Sequence, residues 1–179
     1  MDYQEVLKFW FTESKESQWF TKDSDFDETI RQGFATCHQQ ASQGELVDWR
    51  QSIKGRLAEI IVLDQFSRNL FRDCPQSFAC DGMALVLTQE AIATGKLDQL
   101  SQIERSFLFM PLMHSESLMI HEEALKRFAE PGMENNLAFE KRHRDILRRF
   151  GRYPHRNQIL GRPSTDEEVA FLKEPGSSF

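Results

Sequence analysis

Cysteine is scarce: Cys37, Cys74 and Cys80 are odd in number and lack CxxC spacing. That pattern argues against a disulfide framework and against a cysteine-based zinc site, so all three read as structural. Long apolar runs are missing too. The longest, FLFMPLM at 107–113, falls far below the roughly 18 residues needed to span a bilayer, and no membrane association is expected. The opening MDYQEVLKFWF has neither the basic region nor the small-residue cleavage site of a signal peptide, which points to the cytoplasm. No GxxxxGK[ST] loop, GxGxxG fingerprint or GxSxG elbow occurs, leaving P-loop, dinucleotide-binding and α/β-hydrolase chemistry without support, and no cofactor is expected. Strand-like alternation is nearly absent as well.

What is present is helical spacing and bulk. The chain has 179 residues with fifteen Phe and three Trp, a length that fits one domain over 1–179 and buries roughly 70% of its unfolded surface. Apolar residues recur at three and four positions, so the fold class is all-α. A first short helix is expected over 2–10, followed by a turn over FTESKESQWF. The run from 23 to 44 opens with Asp and Ser caps, closes at Gly44 and carries Phe26, Ile30 and Phe34 on one face, although Gly33 weakens its middle. Residues Ser52 to Phe71 leave little room for a polar side and predict a central buried helix. Another helix is expected over 77–94. SQIE at 101–104 matches a capping box, and Pro111 should kink or restart the helix it begins, with a second segment reaching Phe128. Phe139, His143, Ile146, Leu147 and Phe150 line a helix closed by Gly151, and RPSTDEEVAFL predicts a short terminal helix within a 161–179 extension packed on the domain. Short helices joined by short turns suggest a stacked array, without a repeat of about 34 residues in the letters.

Charge is unevenly placed. Lys141 to Arg162 holds eight Lys or Arg against one acid, a net +7, which leaves −13 for the rest of a chain whose total is −6. Three polar stretches interrupt apolar faces. In LDQFSRNLFR, Asp64 precedes Arg68 by four residues and Arg72 continues the row; the pattern fits an internal Asp64–Arg68 bridge or a ligand-facing Arg68 or Arg72. In PLMHSESLMIHEE, His114 and His121 fall on one side of a helix with Glu116 about 160° round from His114 by the 3.6-residue period. The seven-residue His spacing does not match a metal site of the HExxH type, and no metal is expected; His114 is a core or a pocket histidine. In RRFGRYPHRNQILGR, Gly151 and Pro154 would leave backbone N–H groups open around His155 to Asn157, with Arg152, His155, Arg156 and Arg162 grouped there. The alternative is a clamp in which these arginines pair the acids of the terminal helix. His143, on an apolar face, reads as a core histidine.

The stretches VLKFWF, GELVDW, LAEIIVLDQFSRNLFR, ERSFLFMPLMHSESL and RRFGRYPHRNQILGRPSTDEEVAFL together make the chain resemble the bacterial family called domain of unknown function 924. The resemblance runs from residue 6 to 172 and implies an all-α fold of tetratricopeptide-like type, an antiparallel helix array around one core. It implies no reaction. Ser67 stands where the family usually has Pro, a change of backbone stiffness more than of chemistry.

The resulting expectation is one cleft gathering the central helix end, the His114 segment and the 148–162 block, which binds a small anionic ligand or an acidic peptide group. Asp64, Arg68, Arg72, His114, Arg152, His155, Arg156 and Asn157 are the candidate binding residues, and His114, His155 and Glu116 the candidate catalytic ones. An enzyme using His as general acid or base with Arg stabilising negative charge is the first alternative. An adaptor receiving a partner protein in an apolar groove is the second. The −13 elsewhere argues against nucleic acid. A His within hydrogen-bond reach of both a carboxylate and an open cavity would favour the enzyme.

Overall fold

The structure, a computed structural model, describes residues 1–178. Phe179, the last residue of the expected 161–179 extension, lies outside the described residues. All regular elements among them are helical, so the chain is all-α.

Helix α1 (Tyr3–Lys8) starts where the Asp2 side chain accepts from the Gln4 N–H and Glu5 reaches back to the Asp2 N–H. It continues through a π-helical turn, Phe9–Glu13, that buries Phe9 and Trp10. The stretch expected to be a turn carries a short helix instead, α2 (Glu16–Trp19), whose Trp19 indole donates to the Trp10 carbonyl at 3.0 Å. Helix α3 (Ser24–Ser42) is capped by Asp23 and buries Phe26, Ile30, Phe34, Cys37 and Ala41, the face read from spacing.

The central helix begins at α4 (Ile53–Ile61), capped by Ser52, and Leu57, Ala58, Ile60 and Ile61 are fully buried. At roughly 1.5–3 kcal/mol for each large apolar side chain, this segment anchors the core. Gly55 is required there, since a Cβ would sit 2.0 Å from the Trp49 carbonyl oxygen. The expected continuous helix to Phe71 is broken by a π-helical turn, Val62–Phe66, before α5 (Ser67–Leu70). Such turns add a residue and redirect the side chains that follow.

Helix α6 (Asp81–Ala93) starts later than residue 77, because Pro75–Phe78 forms a separate 3₁₀ turn. Helix α7 (Gln102–His114) has the Ser101–Glu104 capping box and runs through Pro111 without a break. The restart expected at Pro111 falls instead after Ser115, whose extended backbone separates α7 from α8 (Leu118–Phe128). Helix α9 (Glu134–Phe150) ends at Gly151 with φ 69°, the left-handed stop that glycine favours. A 3₁₀ turn, Pro154–Arg156, and a loop lead to α10 (Asp166–Phe171), capped by Thr165 and Glu168. Helices α7, α8 and α9 pack on one another in turn. A main core spans α1 to α8, and a smaller cluster of Ile146, Leu147, Tyr153 and Phe171 holds α10 against the end of α9.

Candidate functional site

The π-helical turn of the central helix and the last residue of α7 meet in the interior. Asp64, 1% exposed, lies in that turn, and His114 Nδ1 stands 2.7 Å from its Oδ1. Burial alone would raise the Asp64 carboxyl, but the charge and hydrogen bond of His114, then Arg68 and the Gln65 amide, hold it down to about 2. Asp64 is therefore ionised near neutral pH, so His114 Nδ1 must be the donor. The ring's other nitrogen, Nε2, has no hydrogen bond among the described residues, and His114 borders a cavity of about 360 Å³.

The cavity is lined by apolar residues, Pro75, Phe78, Ala79, Leu85, Pro111 and Leu160, and by polar ones, Asp81, His114, Ser115, Glu116 and Arg156. Arg68 is only 3.8 Å from Asp64 and makes its closer pair with Asp81, at 2.7 and 3.0 Å, besides donating to the Ser77 carbonyl. Arg156, 7% exposed, donates to the His114 carbonyl at 2.9 Å and reaches the same Asp81 at 3.4 Å. Its buried Nε has no hydrogen-bond partner among the described residues. Its guanidinium lies 4.7 Å from the ring centroids of both Phe78 and Tyr153. Burial weakens its hold on its proton, with the nearby Arg68 acting in the same direction and Asp81 opposing. Two guanidinium groups thus share one carboxylate and one aromatic ring.

The segment around His114 is held residue by residue. Tyr153 donates its hydroxyl to the Met113 carbonyl at 2.6 Å, and His121 Nε2 donates to the Ser115 carbonyl at 2.8 Å. Glu116 accepts from the Tyr153 N–H at 2.7 Å and from Arg162 at 2.7 and 3.0 Å. Behind this, His121 Nδ1 is hydrogen-bonded to Glu140 Oε1 at 2.6 Å, both side chains fully buried. Sequence reasoning missed Tyr153 and Glu140. The signal for Glu140 was available, since it precedes His143 and Leu147 by three and seven residues on a buried face, where an acid requires a partner.

Several expected residues lie elsewhere. Arg72 lies past the end of α5, so it does not continue the Asp64–Arg68 row; it grips Asp27 at 2.6 Å with both donors and ties this end to α3. Arg152 pairs with Glu168 at 2.7 and 2.8 Å and donates to the Pro163 carbonyl, so it clamps α10 instead of lining this cavity. Asn157 is buried, donating to Ser164 and accepting from Arg162. His155 is not among the cavity's lining residues; it stacks on Tyr153 with 5.5 Å between centroids, and burial holds it down to about 4. The backbone N–H groups of Arg156 and Asn157 are not open for an anion, since they donate to Tyr153 and Pro154 carbonyls inside the 3₁₀ turn. His143 donates Nδ1 to the Phe139 carbonyl and is held neutral by burial, as a core histidine should be. His114 and His121 belong to different helices, so the single face read from their spacing does not exist. Among the described residues no cluster of three or more His, Cys, Asp or Glu could hold a metal, and no helix is long and apolar enough to cross a membrane.

Comparison with known proteins adds fold and family. A family model described as bacterial protein of unknown function (DUF924) matches residues 6–176. A solved structure of a protein of unknown function from Agrobacterium tumefaciens is 34% identical, with a TM-score of 0.91 and 96% of each chain covered. A search of curated proteins found no match.

Proposed function

We propose a function for this chain, which belongs to the DUF924 family of bacterial proteins: it binds a small anionic ligand in the His114 cleft and uses His114 as an acid–base group on it. The observation that carries this reading is the orientation of one ring. His114 Nδ1 is fixed by a buried, ionised Asp64, while Nε2 is unpartnered among the described residues and the ring borders an open cavity. That is the arrangement of a general base with its orienting carboxylate, and it favours turnover over passive binding. Nε2 exchanges a proton with the ligand, and Asp64 stabilises the imidazolium form. Arg156, beside the ring, offsets negative charge that develops on the ligand. A group so placed contributes roughly 10²- to 10⁴-fold in rate.

A mixture of candidate substrates suffices for the test. Wild-type protein and a folded His114→Asn variant are incubated with a bacterial small-molecule extract, and consumption is followed by mass spectrometry. A compound consumed by the wild type and at least about 100-fold more slowly by the variant is expected. If both proteins consume the same compounds at the same rate, or neither consumes any, the acid–base reading fails.

A further inference from the structure

We infer that the ligand of this cleft is a small monocarboxylate with an apolar body. The inference rests on the reading of the cleft as a ligand site and not on the acid–base role of His114. The charges come first. Asp64 and Asp81 face Arg68 and Arg156, and Glu116 faces Arg162, so three carboxylates already meet three guanidinium groups. These six groups together carry no net charge, so a ligand with a single negative charge adds the least repulsion an anion can. A phosphate dianion would bring a second negative charge against Asp81 and Glu116, which both line the cavity, and unbalanced like charges in a site are repelled.

The binding group comes next. Asp81 is held by Arg68 at 2.7 and 3.0 Å but by Arg156 only at 3.4 Å, and Arg156 Nε is without a partner among the described residues. Arg156 is thus the guanidinium with donor capacity left, and its planar fork suits a carboxylate. Asp81 stays satisfied by Arg68 when Arg156 turns to the ligand.

The body follows from the apolar part of the lining, where Phe78, Leu85, Pro111 and Leu160 offer nothing for a polar group. The cavity of about 360 Å³ equals about a dozen waters at roughly 30 Å³ each. It therefore has room for a carboxylate with a body of several carbons, whereas a two-carbon acid would leave most of the apolar lining uncovered.

Calorimetric titration of the intact protein tests this with benzoate, 4-methylvalerate, acetate, benzamide, inorganic phosphate and N-acetylphenylalanylglycine. Benzoate and 4-methylvalerate are expected to bind at least tenfold more tightly than acetate, which lacks the body, benzamide, which lacks the charge, and phosphate. Arg156→Gln should raise their Kd at least tenfold. Should that variant not fold, Leu160→Glu places a like charge at the partly exposed rim and should weaken carboxylates by a similar factor. Phosphate binding as tightly as the best carboxylate, or carboxylate binding untouched by these variants, overturns the inference. Tighter binding of the peptide acid overturns the small-molecule source and assigns the same pocket to a chain terminus. Carboxylates that bind with the expected order while His114→Asn consumes the extract like the wild type sink the acid–base reading alone. Tight phosphate binding with His114-dependent consumption does the reverse.

Discussion

Replacing Asp64 by Asn removes one charge from the centre of the protein while keeping size and a hydrogen-bond acceptor. In the folded state the carboxyl is held down from 3.8 to about 2. At about 1.4 kcal/mol per pH unit, its ionised form contributes about 2 kcal/mol of stability near neutral pH. Arg68 keeps Asp81 in the variant, so the loss stays below the roughly 3–5 kcal/mol of a buried charge left wholly alone. For a chain of this length the melting temperature should fall by about 4–8 °C at pH 7. Because the folded value lies below the unfolded one, the contribution is complete above about pH 4 and disappears as the pH falls through about 2. Urea unfolding of both proteins from pH 7 down to pH 2.5 measures this, and the gap between them should narrow steadily at the acid end. A gap under about 0.5 kcal/mol at pH 7, or one that persists unchanged into acid, would mean that Asp64 acts through packing and that His114 is not held by its charge.

Arg152→Gln should loosen α10, seen as faster hydrogen exchange over residues 166–171, while ligand affinity in the His114 cleft stays within about twofold; a tenfold loss of affinity would return Arg152 to the site. The Glu168 carboxyl is held down to about 2, chiefly by the Arg152 hydrogen bond, so the wild type should show the same loosening as the pH falls toward that value. Glu140 behaves oppositely. Burial raises its carboxyl above 4.5, against the pull of His121, so its stabilising contribution is largest below that pH and declines as the pH rises through the raised value. Glu140→Gln, which can still bond His121 without a buried charge, should cost less than about 1 kcal/mol at pH 7; a loss above about 3 kcal/mol in a denaturant titration would show that the ionised form is required.

Helix positions were legible wherever one turn of sequence contains its own partners. Ser101 and Glu104 cap the same four residues, Phe26, Ile30 and Phe34 share a face through the helical period alone, and Gly151 stops α9 by its own backbone. The failures have the opposite character. Asp64 looked toward Arg68 because four residues separate them, yet its tighter partner is His114, fifty positions away. No local pattern announces the π-helical turn that aims it there. Pro111 was expected to kink or restart α7, but the helix does not restart there, since a helix packed on several sides tolerates one missing donor; the next helix begins after Ser115 turns extended.

The basic block shows why counting charge locates a site only roughly. Arg149 meets Glu167, Arg152 meets Glu168 and Arg162 meets Glu116, so three of its five arginines are committed to acids that hold the C-terminal part in place. Arg148 reaches Asp145, at the surface. Arg156 differs because its acid is shared: Arg68 takes both oxygens of Asp81 at shorter range. It is also the arginine of the block that the fold buries between two aromatic rings at the edge of the cavity. A guanidinium whose carboxylate is already satisfied by another is the one that gains most from a new anion. Competition for a partner, and not membership of a cationic run, therefore sets Arg156 apart from the other arginines of the block.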